Sequence, residues 1–189
     1  YREKLSGVGT VNVINTNIGT YAFYGNTTIH TVYATDVDRI GDYAFAQQTS
    51  LNNIDIIRTK NIGAYAFFNN AATCSVNTDG NTQIGIYSFA NSTKLQYVNI
   101  MGNTDIGDYA FSNDIGLLKT VVTGSSNIGD YSFYNCNTMI DFVIDGTIER
   151  IGEHAFDSCK ALGAMVLPTT VNYIGSYAFY DCNSMTSIN

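Results

Sequence analysis

The residues of this chain that could do chemistry are few, and their spacing is as telling as their types. Cys136, Cys159 and Cys182 follow one another at intervals of 23 residues. A zinc site needs four ligands converging on one point, whereas residues one repeat apart spread along an axis. A disulfide between neighbours would need Cα atoms within about 7 Å. The favoured reading is three buried free thiols filling a small slot, with Cys74 alone, and no cysteine pair marks a disulfide framework or fixes the compartment. His30 has no acid or nucleophile at a telling spacing. His154 stands where other copies of a repeated phrase carry a tyrosine, so it reads as a substituted, half-exposed aromatic. No serine sits in a nucleophile elbow, and Gly7-Val8-Gly9-Thr10 is too short for a phosphate loop. Asp42, Asp108, Asp130 and Glu153 recur beside Ile-Gly pairs, which suits a solvated turn better than the paired carboxylates of a glycosidase. Asp79-Gly80-Asn81 and Asp145-Gly146 could offer calcium oxygens on stacked turns, but turn chemistry accounts for them. Asn26-Thr27-Thr28 and Asn91-Ser92-Thr93 are sequons, relevant only where extracellular asparagine is glycosylated. No catalytic, cofactor or metal-binding residue is assigned, and no enzyme is expected.

The totals narrow the partners. The chain has 189 residues, a net charge of −7 and a sequence pI near 4.5, which argues against a protein that tracks a nucleic-acid backbone. The charge is uneven: residues 1–94 hold six Lys or Arg and six acids, residues 95–189 hold three and ten. No run approaches the roughly 18 apolar residues of a membrane span, so no membrane insertion is expected in this segment. No signal peptide precedes Tyr1, yet both ends look cut. Residues 1–17 hold an incomplete coil and the last seven residues stop within a strand, which suggests a fragment of a longer protein.

What must position these residues is a repeat. Ile-Gly recurs at 18, 40, 62, 84, 106, 128, 151 and 174, in five steps of 22 and two of 23. A Phe follows each Ile by five places, from Phe23 to Phe179, with Ala or Ser before it. A Tyr stands three places after the Ile in every copy but the one with His154. Apolar residues recur 11, 14 and 16 places on, as in Leu95, Val98 and Ile100, and the last two alternate with outward residues as in a strand. Gly80, Gly102, Gly124 and Gly146 hold one turn position, for a positive φ or a close backbone approach. A unit this short cannot enclose a core alone. Stacked copies can, each adding one strand to a parallel sheet and one rung to ladders of Ile, Phe and Leu.

The phrase Ile-Gly-x-Tyr-Ala-Phe, a Cys three residues after the Phe, a Leu after that and a closing Leu-Pro together resemble the BspA-like leucine-rich repeats. Residues 151–179 match best, and the likeness covers about nine-tenths of the chain. Asn26, Gln48, Asn70, Ser92 and Asp114 take the Cys slot in the earlier copies, and Leu-Pro occurs once, at Leu167-Pro168. The resemblance implies an α/β solenoid over residues 1–189, a right-handed leucine-rich-repeat superhelix with a parallel sheet on its concave face and short helical or irregular convex segments. It also implies an extracellular or cell-surface adhesive protein.

The outward residue of each strand reads Tyr33, Asp55, Asn77, Asn99, Val121, Val143, Val166 and Asn189. Leu118 and Ile140 precede two of the three valines. An exposed apolar patch on a solenoid's concave face suits a partner. Cover by another domain, or a strand phase that slips by one at Thr120, are the alternatives. The candidate partner-binding residues are Tyr33, Asp55, Tyr97, Leu118, Val121, Ile140, Val143 and Val166. The candidate partner is a host or matrix protein, or a glycan, with end-to-end or face-to-face self-association as a further option. A rigid spacer arm with no ligand of its own is the competing function.

Overall fold

The computed structural model describes residues 9–189; part of the Gly7–Thr10 stretch and of the incomplete coil at 1–17 lies outside the described residues. Among the described residues twelve strands follow in chain order: β1 (Thr10–Ile14), β2 (Thr31–Thr35), β3 (Arg39–Ile40), β4 (Asn53–Ile57), β5 (Asn61–Ile62), β6 (Ser75–Asp79), β7 (Gln83–Ile84), β8 (Tyr97–Met101), β9 (Thr104–Ile106), β10 (Lys119–Ile128), β11 (Asp141–Ile151) and β12 (Tyr173–Ile174). Their pairings are all parallel. One ladder, wide, runs β1-β2-β4-β6-β8-β10-β11; the other, narrow, runs β3-β5-β7-β9-β10-β11-β12. The long strands β10 and β11 pass through both, so the elbow separating the ladders in the earlier coils is straightened there.

The period-2 alternation of the sequence sets the faces. Val32, Ile54, Val76, Val98 and Thr120 stand in one register row and are buried, while the residues between them and their partners two places on face out. Thr120 is buried with Val121 outside it, so the strand phase does not slip in that copy. The Ile of each Ile-Gly pair faces the interior from the narrow ladder, buried in seven of the eight copies and exposed only at Ile174. The glycine beside it is required by proximity, because a Cβ on Gly41 would lie 2.5 Å from the Thr20 nitrogen. Behind the ladders, Phe23 to Phe179 stack ring on ring with centroids 4.9–5.5 Å apart, and the six inner rings are fully buried.

The wall opposite the sheet contains no helix among the described residues. Of the helical and irregular alternatives for the convex segments, the irregular one holds, and the α component of the expected class is not represented there. The reason lies in the hydrogen bonding. Tyr43, Phe45 and Gln47 donate their N–H groups to Ala64, Ala66 and Phe68 of the next coil, while Ala44 and Ala46 close tight turns onto Gly41 and Tyr43. Alternate residues thus bond across coils and within them, and an i to i+4 pattern never forms. This zigzag needs left-handed backbone twice per coil, at the Tyr position (Tyr43, φ 55) and four places on (Asn69, φ 57). Asn, Asp and Gly tolerate that conformation; tyrosine does so at some cost, offset by ring stacking at 4.5–5.0 Å along Tyr21, Tyr43, Tyr65, Tyr87, Tyr109, Tyr131, His154 and Tyr177.

Candidate binding face

The wide ladder brings most of the outward row together. Tyr33, Asp55, Asn77, Asn99, Val121 and Val143 are successive register partners. Its first half is a polar ladder: Asn77 donates from Nδ2 to Asp55 Oδ1 at 2.6 Å, and Asn99 donates to Asn77 Oδ1 at 2.8 Å. Valine then replaces amide, and Val121 and Val143 stand side by side, half-buried. Val166 is 72% exposed but stands apart, since among the described residues the one bridge at its strand joins Met165 to Ile188.

The row before it reads Ser75, Tyr97, Lys119 and Asp141 in register. Tyr97 is exposed, and Lys119 pairs with Asp141 at 2.7 Å. This ion pair lies between Val121 and Val143 on one side and Leu118 and Ile140 on the other. Leu118 is half-buried and Ile140 59% exposed, both just ahead of the strands. The apolar surface is therefore two short strips with a charged pair between them. Tyr33 belongs to the same face but sits four strands from Val121.

The other chemistry-bearing residues resolve into structural work. Cys136, Cys159 and Cys182 donate from Sγ to the carbonyl oxygens of Phe111, Phe133 and Phe156 at 3.1–3.2 Å. All four cysteines are free. Burial pushes the Cys136 and Cys159 thiols well up and that of Cys182 up to about 11, so the three are protonated and poor nucleophiles. His154 stacks between Tyr131 and Tyr177, with Nδ1 2.6 Å from the Asp157 carboxylate. The acids beside Ile-Gly are staples: Asp42, Asp108 and Asp130 accept the backbone N–H of Ala64, Asp130 and Glu153 in the next coil at 2.8–3.0 Å. Among the described residues no three His, Cys, Asp or Glu side chains gather as a metal site, Asp79 and Asp145 included. Asn26 holds its Thr28 and Ile29 neighbours through Oδ1, and Asn91 lies on the turn wall at a left-handed position.

Sequence reasoning passed over one concavity. A cleft of about 320 Å³ opens at the elbow between the ladders, lined by residues of three successive coils from Asn81 to Ser125. Its signal was the glycine row at 80, 102 and 124, where φ is +121, +90 and +87.

The model of the BspA type leucine rich repeat region matches residues 16–137 and 126–189. A comparison with curated proteins finds no match. Among solved structures, a leucine-rich repeat protein from Bacteroides ovatus is 23% identical, with a TM-score of 0.60 over 96% of this chain and 54% of that one. The leucine rich repeat protein of T. pallidum is 22% identical over 72% of this chain and 57% of that one, with a TM-score of 0.49. A leucine rich cell surface protein from Faecalibacterium prausnitzii is 15% identical over 95% and 78%, with a TM-score of 0.43. The chain spans about half the length of the Bacteroides ovatus protein, and the likeness is one of fold.

Proposed function

Since the chain belongs to the BspA-type leucine-rich-repeat family, we propose that it is a non-enzymatic, cell-surface or secreted module that binds a protein partner through the outer, concave face of its wide ladder. The observation that carries this reading is the adjacency of Val121 and Val143, where the outward row changes from amide to valine. Paired valines cannot bond a hydroxyl or a phosphate, but they suit the apolar side chains of a protein, and the Lys119–Asp141 pair beside them can set orientation. The surface location is drawn from membership of the family. The reading is tested by binding of the purified chain to a panel of matrix proteins, alongside a variant carrying Val121→Asp, Val143→Asp and Val166→Asp. The expected outcome is a bound partner whose affinity falls by about tenfold or more in the variant, with circular dichroism unchanged. Equal binding by both proteins would move the site elsewhere.

A second reading, the rigid spacer arm, is favoured by the uniform stacking along the chain. Phe rings keep nearly the same spacing from Phe23 to Phe179, as an arm requires and a binding site does not. Failure of the wild-type chain to bind any of the panel supports it.

A further inference from the structure

The cleft at the elbow is separate from the valine face and lined by different chemistry. Thr82 and Thr104 are buried in its floor, with their hydroxyls turned to the Thr59 and Gly80 carbonyls at 2.8 and 3.3 Å. Its walls are the side chains of Asn81, Gln83, Asn103, Asp105 and Ser125. The shape comes from a change of architecture. In the coils of Gly80 and Gly102 the wide strand ends, the chain turns, and the narrow strand begins a few residues on. In the next coil β10 runs straight through. The cleft lies at that junction.

Its polar groups are only partly used by the protein. Among the described residues the side chains of Asn81 and Ser125 make no hydrogen bond. Asn103 Oδ1 takes the Ser125 N–H at 3.1 Å, Asp105 Oδ1 takes Asn127 Nδ2 at 3.1 Å, and Gln83 Oε1 takes Asn61 Nδ2 at 3.5 Å. This leaves two amide NH₂ groups, one carboxylate oxygen, one hydroxyl and the whole Asn81 amide of the lining without a partner among the described residues. Donors and acceptors alternating over a short distance match a sugar, whose hydroxyls do both. Asp105 is the one charge in the lining, and no cation accompanies it, which disfavours phosphates, sulfates and uronates.

We infer that this cleft binds an uncharged oligosaccharide laid along the solenoid axis, one sugar ring to a coil. Equivalent residues of successive coils recur at the spacing of the stacked tyrosines, 4.5–5.0 Å, and an extended β-(1→4)-linked hexose chain advances by a closely similar distance per ring. The three coils at 81–83, 103–105 and 125 therefore meet three rings. The unused Asp105 oxygen accepts a hydroxyl of the middle ring, the stronger kind of sugar contact because the acceptor is charged. No aromatic face is offered, since the tyrosine rings are stacked on one another on the turn wall. Binding is hydrogen-bonded and weak, with Kd on the order of a millimolar.

The test is a two-dimensional NMR titration of the intact chain with glucose, cellobiose, cellotriose, cellotetraose and trigalacturonate. Expected are shift changes confined to the amides of residues 81–83, 103–105 and 125, with affinity rising to the trisaccharide and no further. Asn81→Ala and Asp105→Asn each weaken cellotriose binding by about tenfold, the loss of one good hydrogen bond. The Asn81 side chain holds nothing else in place, so its variant folds as the parent does. Val143→Asp leaves sugar binding unchanged, which separates this site from the protein-binding face. Absence of shifts with cellotriose, shifts indifferent to both cleft variants, equal binding of trigalacturonate, or loss of sugar binding in a folded Val143→Asp protein would each overturn the assignment.

Discussion

Asp114 stands in the slot that Cys136 fills one coil later, and it shows what that slot demands. The position is fully buried beside the backbone of the neighbouring coil, and its occupant must serve a main-chain group. The cysteines give a thiol proton to a carbonyl. Asn70 and Asp114 instead accept an N–H, from Gln48 at 2.9 Å and Ser92 at 2.7 Å. The second Asp114 oxygen has no partner, and burial raises its pKa well above the usual carboxylate range. The folded state therefore holds this proton more tightly than the unfolded chain does. The corresponding stability is fully present below the unfolded carboxyl pKa and is lost as pH rises through the folded one. Asp114→Asn keeps the acceptor, as Asn70 does, and removes the titration. The variant is expected to gain on the order of 1–2 kcal/mol at about pH 8 and little at about pH 4. Thermal melts across that range check it; an unchanged pH slope would refute the buried-acid assignment.

At the scale of elements, the phenylalanine ladder supplies the largest fully buried side chains of the core. Phe111 is fully buried, with ring centroids 5.1 and 5.2 Å from Phe89 and Phe133. Removing it with Phe111→Ala leaves a cavity between two rings that their neighbours hold in place. The expected loss is about 3–5 kcal/mol by denaturant unfolding; a value under about 1 kcal/mol would remove the ladder from the core. This ladder and the strand phase were legible in the sequence, because an inward slot must be refilled in every coil and alternation marks the outward one. The turn wall was not. Its tyrosines bond a residue about one coil away and sit at positive φ, and neither fact leaves a trace in local periodicity. The outward row was legible residue by residue, from Tyr33 to Val143. What it could not reveal is that Lys119 and Asp141 interrupt the apolar strip, since the Leu118 and Ile140 positions fall beyond the regular strand. The cleft was hidden for a similar reason: it depends on one strand running through an elbow where its neighbours break.

For the whole molecule, stability is close to a sum over coils and their interfaces. Deleting residues 84–105 joins Gln83 to Ile106 and restores the Ile-Gly register, so the shortened solenoid is expected to fold cooperatively with a correspondingly smaller m-value. Deleting residues 84–94 alone breaks the register, and that variant is expected to unfold or aggregate; circular dichroism and urea titration of the pair decide it, and two equally folded variants would refute a coil-additive core. On the turn wall each coil also hangs on the next in the same sense. The N–H groups of Tyr43, Phe45 and Gln47 point toward the following coil, as do those of Tyr109, Phe111 and Asn113. Peptide dipoles that nearly cancel in a sheet add along this wall as they do along a helix, with the positive pole toward the C-terminal coils. Residues 95–189, with ten acids against three basic residues, lie at that pole, while residues 1–94 are balanced at six each. The solenoid is thus an electrically polar rod in which the side-chain charge gradient opposes the backbone dipole.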